Sequence, residues 1–156
     1  MQERRVVKVI QGQNAVDGAG VHLVRVLGGS TVVDFDPFLM LDSFDSTNPD
    51  DYIKGFPMHP HRGIETITYL ASGRIIHTDS LGNSGTIEDG GTQWMTAGSG
   101  ILHEEMPQPA QRMLGLQVWL NLPQNEKMTE PKYFDIPSKD VGVVAKEAPS
   151  HPGVGV

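Results

Sequence analysis

The stretch Gly55–Gly73, GFPMHPHRGIETITYLASG, puts histidines 59 and 61 either side of one proline and then runs into a segment that alternates like a β-strand. Side chains two apart on an extended backbone point to the same side, so His59 and His61 offer both imidazoles to one point in space. Such a pair is the usual start of a metal site. Pro60 cannot donate a ladder hydrogen bond, which predicts an edge strand, a bulge or a strand start, and it biases His59 toward extended backbone.

Working outward, short segments rich in Val, Ile, Thr and aromatics are separated by Gly- and Pro-containing turns. The chain has 18 Gly and 11 Pro among 156 residues. Predicted strands are 6–10 (VVKVI), 21–27, 35–41, 65–70, 74–80, 85–89, 92–97, 101–106, 114–122, 132–136 and 141–145 (VGVVA). The turns ASG, LGNSG, DGG and AGSG recur at the spacing of an all-β sandwich or barrel. No stretch sustains a helical period. Segment 42–58, polar and broken by proline, reads as a long loop leading to the histidine strand, in the position of a lid. Residues 1–145 read as one domain and 146–156, ending HPGVGV, as a flexible tail.

Composition narrows the chemistry. With no cysteine, disulfides, thiolate nucleophiles and zinc-thiolate sites are excluded, so any metal must be held by nitrogen and oxygen. A net charge of −7 disfavours direct nucleic-acid binding, which needs a surplus of Lys and Arg. No apolar run reaches a membrane span, and the start lacks a signal-peptide core; the expectation is a cytoplasmic protein with no membrane contact.

Forty-two residues beyond His61, GILHEEM repeats the period-two arrangement with His103 and Glu105. Two such inward pairs across a barrel would give three imidazoles and one carboxylate, a set suited to iron, manganese, nickel, copper or cobalt and poorly to calcium or magnesium. Four ligands leave octahedral positions open for water, oxygen or substrate. Parity alone admits other members: Glu65 shares the parity of His59 and His61, and His77 and Asp79 form another period-two pair. Trp94 and Met95 are candidates for the pocket lining, but neighbours on a strand face opposite ways, so core packing claims at least one of them. His22 and His151 stand alone and receive no role.

HPHRGIE resembles the first motif of the cupins, His-x-His, three residues, Glu, and AGSGILH resembles the second, with Gly98 where a proline is usual. DPFLMLDSF, HPHRGIETITYL, GTQWMTAGSGILHEEMP and LGLQVWLNLP, in that order, resemble the N-terminal half of pirins over about residues 5–145. The resemblance implies a cupin-type double-stranded β-helix (jelly-roll barrel), with Fe(2+) held by His59, His61, His103 and Glu105. Glu65 then falls outside the ligand set, and His77 is a hydrogen-bonded structural histidine, with Asp79 as polar lining or surface. The resemblance also implies a quercetin 2,3-dioxygenase cleaving a flavonol-like aromatic with O2, with Glu105 as catalytic base. The alternative it carries is a metal- or redox-responsive regulator, a transcription cofactor or modulator of a metabolic enzyme, acting through a protein partner without turnover; a metal-binding barrel without either role is the third. Pirins ordinarily carry a second cupin barrel; the resemblance covers only the first, and the apolar face left open without the second predicts a homodimer testable by light scattering.

Overall fold

The computed structural model describes residues 5–144. Its strands are β1 (Gln13–Asp17), β2 (Val21–Leu27), β3 (Phe38–Ser46), β4 (Phe56–His61), β5 (Ile64–Ser72), β6 (Ile75–Asp79), β7 (Ser84–Ile87), β8 (Thr92–Thr96), β9 (Ile101–Pro107), β10 (Met113–Asn121) and β11 (Lys132–Ile136). One helical turn, α1 (Val32–Phe35), precedes β3, and 3-10 turns occupy Pro49–Asp51 and Ser138–Asp140. No helix among the described residues is long and apolar enough to cross a membrane.

The strands form two antiparallel sheets, one ordered β1-β2-β3-β10-β5-β8-β11 and the other β4-β9-β6-β7. Consecutive strands repeatedly change sheet, β4 to β5 and β8 to β9 among them, which is the winding of the double-stranded β-helix that the motifs imply. Period-two patterning drives it: β10 buries Met113, Gly115 and Gln117 and turns Leu114, Leu116 and Val118 outward. Val21, Leu23, Phe44, Tyr52, Leu70, Ile75, Ile87 and Met113 make the main apolar cluster, and Met95, Ala97 and Ile101 a smaller one. A third buried set is polar: Asp42, His61, Thr68, His77, Gln93, His103, Glu105 and Gln117. Polar burial on this scale is costly unless partnered, so it marks where the fold serves chemistry.

Four sequence expectations are corrected. Residues 6–10 form no strand; Val6, Val7 and Val9 are 83, 95 and 83% exposed, with no neighbouring strand to pair their β-prone backbone. The strand predicted at 35–41 begins at Phe38, after the α1 turn. Segment 42–58 is only partly loop: β3 continues through Ser46, because Asp42 enters the interior paired with Arg25 and Phe44 joins the core, and β4 starts at Phe56. Residues 141–144 are exposed and not strand. Residue 145 and the predicted tail lie outside the described residues. The short β1, QNAVD, with only two apolar residues, escaped the strand pattern and pairs with β2.

Candidate metal centre

Three adjacent strands of the smaller sheet build the site. In the ladder, His59 of β4 stands opposite His103 of β9, which stands opposite Asp79 of β6. Glu105, two residues on, faces His77. Directly opposite residues share a face, so this register delivers the whole row to the barrel interior. A bulge between Phe56 and His59 adjusts β4 so that both His59 and His61 reach the row.

The ring orientations are set by hydrogen bonds. His59 Nδ1–H donates to the carbonyl of Pro57 at 2.8 Å, which leaves Nε2 with a free lone pair. That Nε2 lies 3.0 Å from His61 Nε2 and 3.1 Å from His103 Nε2. The ligand nitrogens of all three lie within 4.8 Å of one another. Two neighbouring nitrogens each about 2.1 Å from a shared octahedral ion sit about 3.0 Å apart, so these spacings fit a transition ion held by imidazole. His61 also packs edge-on against Trp119, ring centroids 5.0 Å apart.

Burial keeps the His61 and His103 rings neutral and ready to ligate. Desolvation, with the neighbouring His59 second, lowers the His61 pKa to about 4; desolvation, then His59, His61 and His77, lowers that of His103 to about 2.

Glu105 is 2% exposed and lines the same cavity, but it is not part of the three-nitrogen cluster. Its Oε1 accepts from Thr68 Oγ1 and its Oε2 from Gln117 Nε2, both at 3.0 Å. Since Thr68 and Gln117 belong to the larger sheet, the carboxylate ties the two sheets across the barrel. The cavity above the histidines encloses about 640 Å³, within the range of small-molecule sites, with Leu39, Met40, Phe56, Ile64 and Trp119 as apolar walls. Two acids of its lining, Asp42 and Asp17, are held by Arg25 of β2, through two bonds of 2.9 and 2.7 Å to Asp42 and one of 2.7 Å to Asp17, which fastens the β1–β2 hairpin to the cavity wall.

His59, His61 and His103 are therefore brought together, with Glu105 beside them. Glu65 is elsewhere: the chain turns at Gly63 (φ +71°), so strand parity does not carry from β4 into β5, and Glu65 accepts from Thr96 Oγ1 in the other sheet. Met95 is core, while Trp94 lies on the opposite side of β8. His77 is fully buried and hydrogen-bonded, as expected, and Asp79, 5% exposed, is buried beside it and not on the surface. Thr68, Gln117 and Trp119 went unrecognised in the sequence; inward parity was the one available signal, since residue type alone does not separate them from core.

The profile of the Pirin family matches residues 20–120. A Pseudomonas aeruginosa protein named "Putative quercetin 2,3-dioxygenase PA3240" is 54% identical over 88% of this chain and 49% of its own length. The crystal structure of quercetin 2,3-dioxygenase from Acinetobacter baumannii superposes with a TM-score of 0.76 at 37% identity, covering 85% of this chain and 49% of that one. Bacterial pirin YhhW from Escherichia coli, solved with nickel(II), superposes with a TM-score of 0.61 at 26% identity, covering 80% of this chain and 53% of that one. The chain spans about half the length of the curated relatives it matches. The family match over residues 20–120, the high identity to these relatives and the shared barrel fold agree with one another, and the chain belongs to the pirin family.

Proposed function

We propose that this barrel serves a metal-dependent dioxygenase of the quercetin 2,3-dioxygenase type, with Fe(2+) as the working ion. The observation that carries the reading is the convergence of three Nε2 atoms at a largely apolar cavity that also exposes a carboxylate. The names borne by similar proteins support the substrate class.

His59, His61 and His103 hold the ion, with Glu105 as a fourth ligand or as a base beside it. A bound iron supplies Lewis acidity toward a coordinated hydroxyl and a means of engaging dioxygen. The chain's residues do the rest. Phe56, Ile64 and Trp119 grip the flat rings of a flavonol and exclude water from the reacting face. Glu105 takes the proton of the substrate hydroxyl, and Thr68 and Gln117 hold its two oxygens in place for the transfer.

The test is oxygen uptake by iron-loaded protein given quercetin, compared with the same iron free in buffer; nickel, manganese, copper and cobalt then rank the metals. Uptake that tracks quercetin loss is expected, and Glu105→Gln should slow it by about 10²- to 10⁴-fold, the usual share of a proton-transferring group. Uptake no greater than that of free iron overturns the proposal.

A further inference from the structure

His77 belongs to no part of the three-nitrogen cluster, yet it is fully buried against one of its members. Its Nδ1 lies 3.4 Å from Nδ1 of His103, and its Nε2 lies 3.3 Å from Asp79 Oδ2. Tyr133 of β11 stacks on the ring, centroids 4.2 Å apart and planes 16° from parallel. Asp79 is fixed in turn: Oδ1 accepts from the backbone N–H of Leu81 and of Asn83 at 2.9 and 3.0 Å, and Oδ2 from Asn83 Nδ2 at 2.9 Å.

Proton bookkeeping gives this row a direction. Asp79 accepts from all these donors, so His77 carries its proton on Nε2 and donates it to Oδ2. His77 Nδ1 is then a lone-pair acceptor, and the group facing it, His103 Nδ1, must be the N–H. That leaves His103 Nε2 unprotonated and aimed at His59 Nε2, 3.1 Å away. Had His77 the opposite tautomer, its Nδ1–H would compete with the His103 Nδ1–H and turn the ligand away from the ion. Outer partners of this type fix the tautomer of a ligating histidine and raise its basicity.

We propose that His77, anchored by Asp79 and stacked on Tyr133, is a positioning residue that holds His103 in its metal-binding tautomer and thereby sets the affinity of the site. The inference rests on the three histidines being a metal site and does not depend on the reaction carried out there.

Nickel(II) alone, titrated against a competing chelator, reads it out. His77→Phe keeps the ring and the stack on Tyr133 but removes both nitrogens, and should weaken nickel binding about 10- to 100-fold. His77→Gln keeps one acceptor and one donor and should recover most of that loss. Asp79→Asn leaves His77 in place but lets the row reverse, and should weaken binding by a smaller factor, which keeps the test available if His77→Phe does not fold. Equal affinity in wild type and in folded His77→Phe or Asp79→Asn overturns the proposal, as does a lowered metal-free melting temperature with unchanged affinity. A wild type that takes up no nickel would defeat the metal site itself, an outcome distinct from any difference among variants.

Discussion

The carbonyl of Pro57 decides which nitrogen His59 presents, since it occupies Nδ1 and turns Nε2 toward His61 and His103. At this scale the sequence was most legible for the histidines, because period-two spacing in an extended segment fixes direction without knowledge of the fold. It was least legible for Glu65, where one glycine of positive φ broke the parity, and for Thr68 and Gln117, whose work depends on a carboxylate from the other sheet. The buried rings also make a pH prediction. His61 and His103 are held at about 4 and about 2, below the ordinary 6.5 that they recover on unfolding. Below pH 6.5 the unfolded chain binds protons that the folded chain refuses, so the stability of the metal-free protein falls as pH drops from 6.5 toward 4, the His103 share continuing lower. Asp79, whose burial is outweighed by hydrogen bonds led by Asn83, has a pKa below 3.8 and loses its contribution only in stronger acid. Urea midpoints of metal-free protein should therefore decline already between pH 6.5 and 4.5, less steeply in His61→Phe. A midpoint flat over that interval contradicts the burial argument.

Strand β9 is the element on which the site depends, since it carries His103 and Glu105 and pairs with β4 on one side and β6 on the other. The turn that launches it explains the departure at Gly98 from the proline usual in the second cupin motif. Gly98 has φ +49°, a left-handed value that proline's ring forbids, and a Cβ there would lie 2.1 Å from the carbonyl oxygen of Thr129. The Gly98 carbonyl in turn accepts from Gly63 N–H at 2.8 Å, linking this turn to the one that follows His61. Gly98→Ala should cost at least about 1–3 kcal/mol in urea unfolding from backbone strain alone. It should also weaken metal binding by shifting the start of β9. A variant as stable as wild type would show that the turn does not need this conformation. Patterning located β2 and β5 through β11 within a few residues, whereas β1 and the second half of β3 were hidden because their polar residues are balanced by partners elsewhere in the chain, Asp42 by Arg25 above all.

Across the whole molecule, the two sheets close around a polar interior in which histidines from β4, β6 and β9 meet a carboxylate braced by β5 and β10. The alternating pattern and the turns made an all-β barrel legible; the pairing of β9 between β4 and β6, which makes the site, was not, because register is a property of two strands and neither states it alone. An ion that binds the folded barrel and not the unfolded chain adds RT ln(1 + [L]/Kd) to stability, about 2.7 kcal/mol at a hundredfold excess over Kd. The centre would then lock β4 and β9, the two strands that carry its three histidines, together as well as equip them for chemistry. The measurement that reaches this most directly is a crystal structure of metal-loaded protein with the ion located by anomalous scattering. The account predicts one ion about 2.0–2.2 Å from the Nε2 atoms of His59, His61 and His103 together; an ion bound elsewhere, or three rings with no ion among them in metal-saturated protein, would contradict it.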